Sequence, residues 1–258
     1  MNKLAIEGVG KLFAGRGASQ PTRALMPATL DIADKDFITI LGPSGCGKST
    51  LLRIVAGLET ASEGRVLLDG KPVTGPGADR GMVFQSYTLF PWLTIIENIA
   101  FGLRERGVPE AQRLDVARRW AQQVGLKGFE NHYPKQLSGG MQQRTAIARA
   151  LANDPEILLL DEPFGALDNQ TRALMQEMLL GIWEREAKTV MFVTHDVEEA
   201  IFMASRVVVM SARPGRIKAD IAVDLPHPRP YTIKTSAAFV ALKERLVEEI
   251  RAEVMASA

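Results

Sequence analysis

An apolar strand, Phe37–Leu41, runs straight into Gly42-Pro-Ser-Gly-Cys-Gly-Lys-Ser-Thr50, and a helix follows through Leu51, Leu52 and Val55 before stopping near Gly57. The loop matches the pattern G-x-x-x-x-G-K-S in the one context that gives the pattern meaning, between a strand and a helix. Its glycines let successive amides curl around phosphate oxygens, Lys48 offers a point charge to the β- and γ-phosphates, and Ser49 offers a hydroxyl to Mg2+. Gly42, Pro43, Ser44, Gly45, Cys46, Gly47, Lys48, Ser49 and Thr50 are therefore the candidate nucleotide contacts. Cys46 is read as a small residue that fits the loop, not as a nucleophile.

The same grammar recurs downstream. Ile157–Leu160 is apolar at every position, the pattern of a parallel strand buried on both faces, and Val190–Val193 repeats it before Thr194-His195. Asp196 and Glu199 resemble a capping box that opens a helix through Ala200 and Phe202. Repeated strand, loop and helix indicate an α/β fold with a mainly parallel sheet. Two stretches depart from it. Arg65–Leu68, Asp69-Gly70 and Lys71–Val73 read as a β-hairpin, and Val207–Met210, Pro214-Gly215 and Ile217–Val223 as another. Residues 88–155 look mostly helical, punctuated by Pro109, Pro134 and Pro155, and form an expected insert between core strands. Leu225-Pro-His-Pro-Arg-Pro230 reads as a stiff connector, and Phe239, Leu242, Leu246 and Ile250 line one face of a final helix. The expected division is one domain over 1–225 and an appendage over 226–258.

With 258 residues the chain can bury one large core, or a core with an inserted subdomain. Its 31 basic and 30 acidic residues leave no electrostatic footprint for nucleic acid. No apolar run approaches the roughly 18 to 20 residues that span a bilayer, and the N-terminal residues lack the apolar core of a signal peptide. A lone cysteine excludes an internal disulfide framework and fits a reducing compartment. The expectation is a cytosolic chain whose membrane role, if any, comes through a partner.

Two further motifs carry chemistry. Leu137-Ser-Gly-Gly-Met-Gln-Gln-Arg144 places a good N-cap, Ser138, before a helix, with Gly139 and Gly140 removing side chains where another molecule approaches. Such a terminus is a plausible anion site, and taken alone also an ordinary capped helix. Leu158-Leu-Leu-Asp161-Glu162 sets two carboxylates at the C-terminal end of a buried strand, where α/β sheets bind ligands. Asp161 suits Mg2+ held through water, and Glu162 suits orienting or deprotonating an attacking water.

Taken in order, Gly42–Thr50, Gln85, Leu137–Arg144, Asp161-Glu162, Ala166-Leu167-Asp168 and His195 resemble the ATPase subunit of an ATP-binding-cassette transporter, over roughly residues 4 to 225. The resemblance implies a P-loop NTPase core with an antiparallel β subdomain and an inserted helical subdomain. It implies ATP and Mg2+ as cofactors and a head-to-tail pair of copies, in which Ser138 and Gly140 of one contact the γ-phosphate held by the other. By the same resemblance Gln85 touches Mg2+ and the lytic water, His195 holds the γ-phosphate, Asp168 communicates across the dimer and Phe13 stacks on adenine. Phe13 also reads as a strand-end core residue. Phe90 and Trp92 are equally core aromatics or the edge of a groove for the membrane subunit. Ser86–Thr94 and Met210–Ile217 are similar to the nitrate/sulfonate/taurine branch of bacterial importers. The implied partners are permease subunits and, indirectly, a periplasmic solute-binding protein, with the ATPase peripheral on the cytoplasmic face of the inner membrane. A soluble cassette ATPase acting in DNA repair or translation is the alternative; the two cassettes, coiled coil or zinc module usual there are absent from this sequence. A P-loop kinase or GTPase would leave the octet and His195 without a role.

Overall fold

The computed structural model describes residues 2–15 and 20–256. In chain order the elements begin with β1 (Asn2–Phe13), β2 (Thr22–Ala33), β3 (Phe37–Leu41), α1 (Lys48–Val55), β4 (Glu63–Leu68), β5 (Lys71–Pro72) and β6 (Arg80–Val83). Next come α2 (Ile95–Glu105), α3 (Glu110–Gln123), α4 (Gly139–Ala152), β7 (Ile157–Asp161) and α5 (Asn169–Glu186). The chain closes with β8 (Thr189–Thr194), α6 (Val197–Met203), β9 (Arg206–Met210), β10 (Ile217–Ala222) and α7 (Ala237–Ala256). Two compact units result, one formed by the chain up to Gly77 and from Ala187 onward, the other by Ala78–Glu186.

In the first unit β3 lies between β8 and β9 and is parallel to both, with Leu41 opposite Thr194 on one side and Val209 on the other. All five residues of β3 and all six of β8 are buried, which is why both read as unbroken apolar runs. β10 returns antiparallel to β9, as the hairpin signal at Pro214-Gly215 predicts. A second sheet in this unit is wholly antiparallel, in the order β2-β1-β4-β5. Its β4–β5 turn puts Asp69 at φ 48° and Gly70 at φ 74°, the left-handed pair that a two-residue hairpin demands.

In the second unit β6 and β7 pair in parallel, and α4 packs against β6, α2, α3 and α5. Mutual packing of α2, α3 and α4 makes the expected stretch largely helical, with one departure at its start. Residues 88–94 are not helix. Asn98 of α2, fully buried, donates through Nδ2 to the carbonyls of Phe90, Leu93 and Thr94 and accepts the N–H of Phe90 on Oδ1. Helix α2 itself begins at a reciprocal cap: Thr94 Oγ1 accepts the Glu97 N–H, and Glu97 Oε2 accepts the Thr94 N–H at 2.7 Å.

The connector after β10 is tied into the interior of the first unit. Arg229 is 4% exposed. Its Nη1 donates to the carbonyls of Ile201, Phe202 and Ala204, the unpaired C-terminal end of α6, and its Nη2 to those of Val223 and Leu225. Phe239 and Leu246 of α7 are buried as the helical spacing predicts. Arg229→Leu should therefore lower unfolding stability by roughly 2–4 kcal/mol, because several buried carbonyls lose a charged donor at once. A urea midpoint equal to wild type would show that these bonds contribute nothing net.

Candidate nucleotide site and signature helix

Each unit carries its own part of the predicted chemistry. In the first, the phosphate loop leaves β3 and enters α1 through Gly47, whose φ of 99° belongs to glycine and whose absent Cβ would lie 2.9 Å from the Ala24 carbonyl oxygen. Lys48 is 4% exposed, and its ammonium donates to the loop's own carbonyls, Gly42 at 2.8 Å and Pro43 at 3.0 Å. Here a buried cation is held inside a ring of backbone, in the place where an anion's oxygens would compete for it. Cys46 is buried within the loop.

The back of this loop is a surface with no announcement in the sequence. Gly215 has no room for a side chain, because a Cβ would strike the Cys46 carbonyl oxygen. Its N–H donates to Ala24 O and its carbonyl accepts the Met26 N–H, so β2 and the β9–β10 turn brace the loop together. The Pro214-Gly215 dipeptide signals a turn; nothing local to it signals that the turn supports a loop far earlier in the chain.

His195 stands exposed just past β8, and Asp196 caps α6 by accepting the Glu199 N–H at 3.0 Å. Phe13 ends β1 at 38% exposure with the Lys11 ammonium 5.0 Å from its ring centroid. It is a presented aromatic, not a core residue.

In the second unit Asp161 ends β7 buried at 3% exposure, and Glu162 follows at φ 44°. Gln85 Nε2 lies 3.5 Å from Glu162 Oε2, a long contact that brings together the amide and carboxylate assigned to one water. No cluster of three or more His, Cys, Asp or Glu side chains able to cage a metal occurs among the described residues. The oxygen donors of Asp161 and Gln85 suit a hard cation that keeps waters as its further ligands.

Ser138 caps α4, its Oγ accepting the Met141 N–H at 3.4 Å, and is itself exposed. Gly140 has a neighbour where its Cβ would be: Thr171 Cγ2 at 2.7 Å. The Tyr87 hydroxyl approaches the corresponding point of Gly139 at 2.8 Å. The octet is thus wedged in place by α5 on one side and by the segment after Gln85 on the other. Asp168, assigned by resemblance to dimer communication, has a local task as well. Its Oδ1 accepts the N–H groups of Thr171 at 3.0 Å and Gln170 at 3.1 Å, capping α5. Those bonds, that of Thr171 foremost, hold the carboxyl below the usual aspartate range. Phe90 packs on Phe101 at 4.3 Å between ring centroids and on Trp92 at 5.7 Å, while Trp92 is 69% exposed.

Comparison with known proteins identifies the family. Residues 25–165 match the family described as ABC transporter. An ABC transporter ATP-binding protein of Methanocaldococcus jannaschii is 53% identical over 255 residues, covering 99% of this chain and 94% of that one. The aliphatic sulfonates import ATP-binding protein of Bacillus cereus is 46% identical over 246 residues, 95% of each chain. The nitrate import ATP-binding protein of Synechocystis sp. is 46% identical over 254 residues, 96% of this chain and 95% of that one. Among solved structures, a dimeric post-hydrolysis state of an ATP-binding cassette with ADP and Pi superposes at a TM-score of 0.76, with 34% identity over 86% of this chain and all of that one.

The capping role of Asp168 has a pH signature. A carboxyl whose folded pKa is depressed contributes stability above its unfolded value of about 4 and loses that contribution as pH falls through the folded value. Asp168→Asn keeps an acceptor at the cap without the titration, so its melting temperature should fall less than that of wild type between pH 7 and pH 3. Equal acid sensitivity of the two proteins would remove the cap from the account.

Proposed function

The chain belongs to the ABC transporter family, and on that premise we propose that it is the energy-coupling ATPase of a bacterial importer for nitrate, a sulfonate, taurine or a related small solute. The single observation behind the substrate class is near full-length similarity, at 46% identity, to proteins named for sulfonate and nitrate import. Head-to-tail pairing of two copies is supported by the dimeric cassette structure that this fold matches. Permease subunits, an indirectly engaged periplasmic binding protein and a peripheral place on the cytoplasmic membrane face complete the reading. Residues 1–225 would then be the ATPase domain, with its helical insert over about 88–155, and 226–258 the connector and closing helix.

The proposed mechanism assigns each group a task. On ATP arrival Lys48 exchanges the Gly42 and Pro43 carbonyls for β- and γ-phosphate oxygens, and the amides of Gly42–Thr50 take the remaining oxygens. Phe13 stacks on adenine. Ser49, Gln85 and Asp161 would hold Mg2+, which when bound neutralises phosphate charge. Glu162 orients and deprotonates the lytic water, Gln85 steers it, and His195 holds the γ-phosphate. Ser138, Gly139 and Gly140 of the second copy close over that phosphate at the capped start of α4, with Asp168 adjoining. Closure and hydrolysis thereby become one cycle, delivered to the permease through the aromatic surface at Phe90 and Trp92.

Glu162→Gln should bind ATP yet turn over roughly a hundredfold or more slowly, as expected for loss of a general base, and accumulate an ATP-bound dimer on size exclusion. Wild-type turnover in that variant would remove Glu162 from the mechanism. Mixing Ser138→Arg chains with Lys48→Ala chains should restore one competent composite site per mixed dimer. Mixed dimers that form but stay silent would sink the head-to-tail arrangement. Native chain extracted in detergent should travel with a polytopic membrane protein; emergence alone or with nucleic acid would count against transport.

A further inference from the structure

Just beyond Gln85 the backbone takes a conformation that its residue disfavours. Thr88 has φ 45°, a left-handed geometry in which a β-branched side chain crowds its own main chain. Within Ala78–Glu186 the described non-glycine residues in this region are Thr88, Asp154 and Glu162. Aspartate tolerates it through local hydrogen bonding. Of the other two, Glu162 is itself a partner in the Gln85–Glu162 contact and Thr88 lies three residues past Gln85, and strain of this kind persists only where surrounding structure over-determines it.

At Thr88 the determining group is Arg149. Its Nη1 donates to the Thr88 carbonyl at 2.9 Å and its Nη2 to the Thr88 hydroxyl at 3.1 Å, while the guanidinium stands 5.5 Å from the centroid of the Phe90 ring. Main chain and side chain of one residue are gripped by one rigid fork, which a lysine cannot reproduce. Burial disfavours the charged form of Arg149, so the fork is partly desolvated and its bonds to Thr88 are correspondingly firm. The chain on either side is already fixed. Val83 pairs with Leu160 at the end of β6, and Phe90–Thr94 are held by buried Asn98. Residues 84–89 bridge these anchors, so the dihedral angles at Thr88 govern where Gln85 can stand.

We infer that Arg149 is a positioning residue for hydrolysis: from the signature helix α4 it clamps Thr88 in its left-handed conformation and so holds Gln85 against Glu162. The inference rests on the reading of Gln85 and Glu162 as the pair that handles the lytic water. It adds a mechanical link within this unit, because Arg149 lies on the same helix that begins at Ser138. A displacement of α4 reaches Gln85 through the fork, without passing through the phosphate loop.

The test compares wild type with Arg149→Lys, Thr88→Val, Thr88→Gly and the double variant Arg149→Lys/Thr88→Gly. Arg149→Lys should lower kcat about tenfold, the order expected for loss of a charge-assisted pair, with affinity for a fluorescent ATP analogue unchanged. Thr88→Val, at an exposed position, keeps the backbone burden and loses the hydroxyl, so it should lower kcat in the same direction. Glycine adopts the left-handed conformation without strain, so the double variant should recover to within about twofold of wild type. Amide hydrogen exchange across 84–90, which needs no turnover, should accelerate in Arg149→Lys and in Thr88→Val. Unchanged kcat and exchange in both would overturn the clamp, and so would an Arg149→Lys defect that glycine at 88 fails to correct. Should Arg149→Lys not fold, Thr88→Val decides alone. A wild-type chain that binds ATP but never hydrolyses it would instead count against the water-handling pair, and the exchange data would still judge the clamp.

Discussion

A phosphate loop is almost all backbone, so its shape has to be imposed from outside. In this chain the imposition comes from three directions. Below it, β3 is locked between two parallel neighbours with every side chain buried. Behind it, the Ala24 carbonyl leaves space only for a glycine at 47, and the Cys46 carbonyl leaves none for a side chain on Gly215. Within it, the Lys48 ammonium draws the Gly42 and Pro43 carbonyls together. Remove the confinement and the amides would point in many directions, each satisfied by water; with it, they are organised before a ligand arrives, which is where affinity for phosphate originates. The rest of the first unit follows from that need, since a turn and a strand distant in sequence must both reach the same few residues.

The second unit solves a different problem. In the proposed mechanism it presents one carboxylate and one amide to a water, and the two lie just past the end of the β6–β7 ladder, where regular pairing has stopped. Beyond the ladder the chain is held by strain and side-chain bonds: Glu162 and Thr88 both hold left-handed backbone, and the segment after Gln85 is fastened by Asn98 at one end and Arg149 in the middle. The signature glycines belong to the same economy of space, with Thr171 and Tyr87 occupying the volume that side chains at 140 and 139 would need.

Legibility in the sequence tracks the range of the interaction. The strand-loop-helix at 37–57, the Asp69-Gly70 hairpin, the Ser138 cap and the apolar face of α7 are stated by neighbouring residues, and all stand where their local patterns predict. The Thr94–Glu97 box is equally local, but the aromatic cluster before it is the louder signal and masks the start of α2. Asp168 shows how a resemblance can hide a simple signal: an aspartate before a helix is a cap in its own right, whatever else it does. What no local pattern contains is reach. Arg149 and Thr88 are 61 residues apart, Arg229 finds carbonyls up to 28 residues upstream, and β1 pairs Leu4 with Ile32 and Leu68. A single arginine carries no periodicity, so its destination is visible only once the fold exists. Charge balance and apolar spacing are blind to such pins, although the pins decide how loops sit.

The Arg229 pin also bears on where this protein can be divided. By composition, a proline-rich connector after Leu225 invites a cut: it looks like the seam between a domain and a tail. Chemically the two parts are tied across it, because the residue that closes the end of α6 lies beyond it, and α6 begins just after His195. Grafting a foreign module onto position 225, or trading the tail with a relative, would open the far end of the helix on which the histidine rests. A shuffled or fused version that keeps His195 in place therefore has to carry the connector along.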